Sequence, residues 1–135
     1  MNTEIRQLFP EREHIEADVA RLYKMAGWLD EGETDFAPIA RALKNSYCCF
    51  GAYCDGKLAG FFRALSDGVS DAYLLDLFVD PKFRKQGIGE KLCREIVGKL
   101  KADGIEWITC ISTPEGESVY KKITPPMQDH TPFRF

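Results

Sequence analysis

Histidine is scarce in this sequence, and cysteines at Cys-x-x-Cys spacing are absent from it. The 135 residues contain His14, His130 and five cysteines that form no Cys-x-x-Cys pair: Cys48, Cys49, Cys54, Cys93 and Cys110. Zinc sites need such ligands at short spacings, so the sequence predicts no bound metal. No Ser/His/Asp or Cys/His pairing suggests a covalent nucleophile either.

Other absences narrow the class of protein. No stretch approaches the roughly 20 apolar residues of a membrane-spanning helix, and MNTEIRQLFPERE lacks the charged-then-apolar order of a secretion signal. We therefore expect a cytoplasmic protein with reduced thiols and no membrane partner. The net charge of −3 argues against a nucleic-acid partner, because phosphate contacts need a basic face. Without a repeat or a linker, residues 1–135 form one predicted domain.

Hydrophobic periodicity predicts an α/β chain. In order, it indicates a strand at 3–8, helices at 11–26 and 38–45, and strands at 47–54, 57–65 and 73–79. The dipeptide Asp55-Gly56 supplies the positive φ angles of a tight hairpin between the fourth and fifth of these elements. Apolar residues every four positions from Ile88 to Leu100 predict a further helix, followed by a strand at 105–111. The last 24 residues suggest a short helix at 114–122 and one terminal strand.

The segment between the strand at 73–79 and the helix at Ile88 has the composition of an anion site. It is a basic patch with two glycines, made of Arg84, Lys85, Gln86, Gly87, Ile88 and Gly89. A helix start presents unpaired N–H groups and a partial positive charge, and glycine lets a ligand approach the backbone. In a parallel sheet, ligands bind beyond the carboxyl ends of strands, where this loop is predicted to lie. The residues therefore predict a phosphate or pyrophosphate site.

Two familiar phosphate motifs do not fit this loop. A P-loop would continue with Gly-Lys-Ser or Gly-Lys-Thr, whereas Glu90 and Lys91 follow Gly89. A Rossmann fingerprint would need a third glycine where Leu92 stands. The remaining alternative is a solvated turn whose glycines only open the helix.

The wider stretch LLDLFVDPKFRKQGIGEKL resembles the coenzyme A site of the GNAT family of acyl-CoA N-acyltransferases. The family signature is Arg or Gln, two residues, Gly, one residue, then Gly or Ala, after a strand ending in Val. Arg84-Lys-Gln-Gly87-Ile-Gly89 follows this pattern, with Val79 before it. The run FFRALSDG, with Asp76 three residues before Val79, is similar to the branch that includes plant serotonin acetyltransferases. The resemblance implies a GNAT fold, a mixed central sheet with a splayed parallel strand pair and helices on both faces.

The same resemblance implies acetyl-CoA as cosubstrate and assigns its contacts. In this family the strand before the loop is bulged, and pantetheine pairs with its backbone like an added strand. Leu77, Phe78 and Val79 would offer that backbone, and one N–H could reach the thioester oxyanion. The amides from Lys85 to Gly89, with the Arg84 side chain nearby, would hold the pyrophosphate.

The implied chemistry is direct attack of an amine on the thioester. Tyr120 matches the family tyrosine that protonates the leaving thiolate, although Thr124 and Pro125 follow where the family has Gly and Phe. Its alternative role is to pack a short helix. Asp76 is the candidate base, because desolvation among apolar neighbours makes a carboxylate a stronger proton acceptor. Regular alternation would place it with Leu74 and Phe78 unless the bulge turns it, and a structural hydrogen-bonding role is the alternative.

The acceptor and the assembly are less defined. The resemblance implies a small amine or an exposed protein amine, and it leaves a homodimer open. Four acids border the implied acceptor pocket and either attract a cation or form a solvated loop: Asp30, Glu31, Glu33 and Asp35. Two other functions remain: a non-catalytic coenzyme A or acyl-CoA sensor of the same fold, and an interaction subunit whose loop only caps a helix.

Overall fold

A computed structural model describes residues 2 to 135. Its five strands are β1 (Thr3–Leu8), β2 (Cys48–Cys54), β3 (Lys57–Ser66), β4 (Asp71–Val79) and β5 (Trp107–Cys110). Its four α-helices are α1 (Glu16–Ala26), α2 (Ala37–Lys44), α3 (Ile88–Ala102) and α4 (Glu117–Lys121), and a 3₁₀ turn covers Pro81–Phe83. None of the helices in the described part of the chain is long and apolar enough to cross a membrane.

The strands form one mixed sheet in the order β1-β2-β3-β4-β5. The first three pairings are antiparallel, and β4 pairs with β5 in parallel. The Asp55-Gly56 turn has φ angles of 51° and 78°, as the hairpin prediction required. The predicted mixed sheet, with helices on both faces, is confirmed.

Two apolar cores lie on opposite faces of the sheet. One core packs Leu92 and other side chains of α3 against the inward side chains of β2, β3 and β4, including Phe62 and Leu74. The other joins α1 and α2 to side chains such as Phe61 and Leu8. Because neighbouring residues of a strand point to opposite faces, Phe61 and Phe62 serve different cores. Every helix longer than one turn therefore has an apolar partner surface.

Two sequence predictions are corrected here. The first helix begins at Glu16, not at residue 11, because residues 9 to 13 form a turn in which the amides of Arg12 and Glu13 both donate to the Phe9 carbonyl at 2.9 Å. The predicted terminal strand is absent, since residues 122–135 contain no strand. Other boundaries differ by a few residues at most.

Candidate acyl-coenzyme A site

The parallel pair of strands separates halfway along β4. Residues 71–74 of β4 pair with residues 107–110 of β5, and β5 ends there. From Leu75 to Val79, β4 has no strand on its β5 side among the described residues. This is the splay that the family resemblance implied, and it leaves backbone N–H and C=O groups open to an extended ligand.

The same half of β4 carries a β-bulge at Asp76. Phe61 pairs with Phe78, but Arg63 pairs with Leu75, so Asp76 and Leu77 together lie opposite Phe62. Asp76 has a φ of 66°, in the left-handed region. Leu74 and Phe78, four residues apart, consequently pack in different cores. The bulge therefore separates Asp76 from Leu74 and aims it at the α1 side.

The loop after β4 presents its amides to solvent. Lys85 and Gly87 both have positive φ angles, 63° and 77°, and Gly87 is the N-cap of α3. No described protein group accepts a hydrogen bond from the amides of residues 85–90; the first amide of the helix with a partner is that of Lys91, which donates to the Gly87 carbonyl at 3.0 Å. A Cβ on Gly87 would meet no atom within 4 Å, so the space beside the loop is open. The loop therefore fits the pyrophosphate role.

Arg84 contacts the end of β4. Its Nε donates to the Val79 carbonyl at 2.9 Å, and its guanidinium carbon lies 5.1 Å from the centre of the Phe78 ring. A cation over an aromatic face is a favourable contact. In this arrangement the arginine links the open strand to the amide loop.

Helix α4 closes the splay on the α3 side. A Cβ on Gly89 would lie 3.4 Å from Val119 Cγ2 and 3.9 Å from Val79 Cγ2, so the start of α3, the end of β4 and α4 meet at this glycine. Tyr120 packs against Phe62, with ring centres 6.4 Å apart. Burial, and then the neighbouring Cys110 and Cys93 thiols, raise the pKa of Tyr120, so its hydroxyl keeps its proton at neutral pH.

Asp76 lies on the other side of β4 from Tyr120. Its Oδ2 accepts a hydrogen bond from Tyr23 Oη at 2.6 Å and one from Arg63 Nε at 2.7 Å. Burial alone would lower the pKa of Arg63, but the hydrogen bond and charge of Asp76 raise it above its ordinary value. Burial and then the Asp76 charge raise the pKa of Tyr23. These contacts match the structural alternative for Asp76, while its role as a base stays a prediction.

Sequence reasoning missed Tyr23 and Arg63. A signal for Arg63 was present, because it is the single charge within the apolar run LAGFFRAL on the strand that precedes β4, as Asp76 is within YLLDLFV. Two lone opposite charges on strands joined by a short turn are candidates for a cross-strand pair. Nothing in the sequence signals Tyr23, which comes from a distant helix.

The acidic segment 27–38 lies beside an aromatic cluster. The Trp28 ring is edge-on to Tyr23 at 5.4 Å and to Phe78 at 5.9 Å, and it is 47% exposed. The four acids that follow it are exposed. No group of three or more His, Cys, Asp or Glu side chains that could hold a metal occurs among residues 2–135.

A splayed strand pair beside a loop of free amides is an arrangement suited to an extended, phosphate-bearing ligand. Residues 6–122 match the family model described as "Acetyltransferase (GNAT) family", and the chain belongs to that family. It is 28% identical over 110 residues to the uncharacterized N-acetyltransferase ycf52 of Pyropia yezoensis, covering 78% of this chain and 62% of the relative. It is 27% identical over 117 residues to the histone acetyltransferase TAP1 of Glycine max, covering 78% and 49%. The chain thus spans less than two thirds of these curated relatives.

Solved structures agree with this family assignment. A GNAT family acetyltransferase of Streptococcus pneumoniae superposes with a TM-score of 0.77 at 25% identity, over 99% of this chain and 97% of that one. A predicted acetyltransferase of Clostridium acetobutylicum, whose structure contains acetyl-CoA, gives 0.77 at 14% identity over 99% and 96%. The second likeness shows the fold alone.

Proposed function

We propose that this protein transfers an acetyl group from acetyl-CoA to a primary amine by direct attack. The observation that carries the proposal is the open half of β4, which ends at a loop with unpaired amides. Pantetheine would pair with Leu77 to Val79, and the pyrophosphate would lie on the amides of residues 85–89 with Arg84 beside it.

The chemistry divides between the two sides of β4. The ammonium loses one proton, the freed lone pair forms the C–N bond, the C–S bond breaks to release the coenzyme thiolate, and the nitrogen gives up a second proton as the amide forms. A β4 amide stabilises the oxyanion, and Tyr120 donates a proton to the thiolate and is reprotonated, through water, by the proton that the amide nitrogen releases. Asp76, or water held near it, takes the amine proton. Trp28 and the acids after it border the side from which a cationic amine would approach.

Coenzyme binding tests the first half of the proposal. Acetyl-CoA at a hundredfold excess over its dissociation constant should stabilise the fold by about 2.7 kcal/mol in thermal unfolding. Gly87→Val should fold and lose that shift, because its side chain fills the space in front of the amides. Gly104→Val is the matched control: Gly104 also has a positive φ (85°) and open space around its Cβ position, but it follows α3. An equal shift in both variants would contradict the pyrophosphate assignment.

Turnover tests the second half. A panel of small amines and lysine-containing peptides is incubated with acetyl-CoA, and released thiol and acetylated product are measured. Thiol release matched by an acetylated amine supports the proposal. The alternative, a non-catalytic acyl-CoA sensor, is favoured by Thr124 and Pro125, which follow Tyr120 where the family has Gly and Phe. Binding without turnover across the panel would support the sensor.

A further inference from the structure

The bulge in β4 depends on a residue in an unfavourable backbone conformation. Left-handed φ angles are uncommon for residues other than glycine, although aspartate and asparagine tolerate them better than most. Such a conformation persists only where the surroundings enforce it. Asp76, with its φ of 66°, immediately precedes the Leu77–Val79 segment. Whatever holds Asp76 therefore also sets the direction of the backbone groups that follow.

Two neighbouring elements hold the Asp76 side chain, and a third is linked to it through Arg63. Tyr23 from α1 and Arg63 from β3 both donate to its Oδ2, at 2.6 and 2.7 Å. Arg63 and Asp76 expose 14% and 23% of their side chains, so the ion pair is largely shielded from water. Arg63 Nη1 also donates to Ser46 Oγ at 3.2 Å, and that hydroxyl donates to the Ala42 carbonyl of α2 at 2.8 Å. The bulge is thereby tied to both helices on its face of the sheet.

We propose that Tyr23 and Arg63 are positioning residues that hold Asp76 in the bulge and so orient the Leu77–Val79 backbone toward the acyl thioester. This inference rests on the proposed function. An oxyanion donor works only when its amide points to the place where charge develops, and a misplacement of about 1 Å costs roughly 10²-fold in rate. Two short hydrogen bonds to one carboxylate oxygen are suited to fixing that direction.

The test separates the carboxylate from the backbone conformation that it enforces. Asp76→Gly and Asp76→Ala both delete the carboxylate, but only glycine adopts a positive φ freely. If the role is positioning, kcat of Asp76→Gly should exceed that of Asp76→Ala about fivefold or more. If Asp76 serves only as a base, the two variants should lose kcat equally, and that result would overturn the proposal.

Tyr23→Phe extends the test to the helix. It should lower kcat about tenfold while changing the KM for acetyl-CoA less than twofold, because a displaced oxyanion donor acts in the transition state. In the Asp76→Gly background the same substitution should add little, since its partner is gone. Tyr47→Phe is the matched control: it deletes another tyrosine–aspartate hydrogen bond of 2.6 Å, to Asp103, away from the bulge. Wild-type kcat in Tyr23→Phe would refute the role of Tyr23.

A second measurement keeps the proposal testable if no amine is turned over. The backbone ¹⁵N–¹H resonances of Leu77, Phe78 and Val79 are recorded with and without acetyl-CoA. Tyr23→Phe and Arg63→Lys should move these resonances, and Tyr47→Phe should leave them in place. Unmoved resonances in both site variants would overturn the inference. Failure of wild-type turnover alone would count against the proposed function only.

Discussion

Tyr120 and Asp76 lie on opposite sides of the same strand, and each is surrounded differently. Tyr120 packs against the α3 core, with Phe62 beside its ring. Asp76 is bound by a tyrosine and an arginine on the α1 face. A ligand in the splay would pass between them. Of the two, Tyr120 is the better candidate for direct proton transfer, because its hydroxyl has no charged hydrogen-bond partner among the described residues. Burial raises its pKa, so donation to a thiolate depends on close placement of the hydroxyl.

Tyr120→Phe tests this candidate at the residue scale. The change keeps the ring and its packing and removes the hydroxyl, so acetyl-CoA affinity should fall only slightly. Loss of a positioned general acid should lower kcat by roughly 10²–10⁴. The loss should shrink with a thioester whose thiol is more acidic, because that leaving group needs less help. Steady-state kinetics with both thioesters make the measurement; near-normal kcat would show that Tyr120 only packs.

At the scale of elements, the position of α3 sets the position of the amide loop. The helix lies on the sheet at Gly60, where a Cβ would be 3.0 Å from Leu92 Cδ1 and 3.2 Å from Ile88 Cγ2. Ile88 is also the first residue of the helix. Because Gly60 of β3 has no side chain, the start of α3 and the loop before it can approach the end of β4.

Two glycine-to-alanine substitutions should change the free energy of unfolding in opposite directions. Gly60→Ala should destabilise the fold by about 1–2 kcal/mol, because the added methyl overpacks the contact with α3. Gly98→Ala should stabilise it by about 0.5–1 kcal/mol, because Gly98 is in the interior of α3 with nothing within 4 Å of its Cβ position. Urea unfolding of both variants gives the comparison. Equal effects would contradict the close approach at Gly60.

The helices, strands and turns also show which parts of the fold and of the candidate site could be predicted from the sequence. Local patterns predicted the Asp55-Gly56 hairpin and the helix from Ile88, because turn chemistry and apolar spacing are encoded within a few residues. The bulge at Asp76 could only be suspected from the family resemblance, since it depends on Tyr23 and Arg63 from other elements. The prediction of a terminal strand was wrong, because a strand needs a partner strand and the described residues 122–135 pair with none.

For the whole molecule, one partly buried ion pair joins α1 to the end of β4. Asp80, the residue after β4, has 1% of its side chain exposed and accepts from Arg21 Nη1 of α1 at 3.1 Å. Arg21 Nη2 also donates to the Leu58 carbonyl, and the Asp80 amide donates to the Ala59 carbonyl at 2.7 Å. Burial alone would raise the pKa of Asp80, but the Lys82 amide and the Arg21 guanidinium hold it below its ordinary value.

This pair predicts acid sensitivity. The stabilisation from Asp80 is fully present above the ordinary carboxyl pKa of about 4 and is lost as the pH falls through the lower pKa of the folded state. Asp80→Asn should therefore flatten the loss of stability below pH 4. Arg21→Met should cost on the order of 2–3 kcal/mol at pH 7, because it leaves a buried carboxylate without its cation. Urea unfolding at pH 7 and pH 3 measures both; an unchanged slope in Asp80→Asn would contradict the assignment.

The burial of the cysteines has a practical consequence for labelling chemistry. Four of the five thiols are buried, and Cys110 is half-buried. Burial raises the pKa of Cys48 to about 12 and those of Cys49 and Cys93 to about 11. Because the thiolate is the reactive form, the folded chain should react slowly with an aromatic disulfide reagent. In the early phase of the assay, the absorbance change would come mainly from the thiol of released coenzyme A. The slower phase that follows would report the rate at which local unfolding exposes the protein's own thiols.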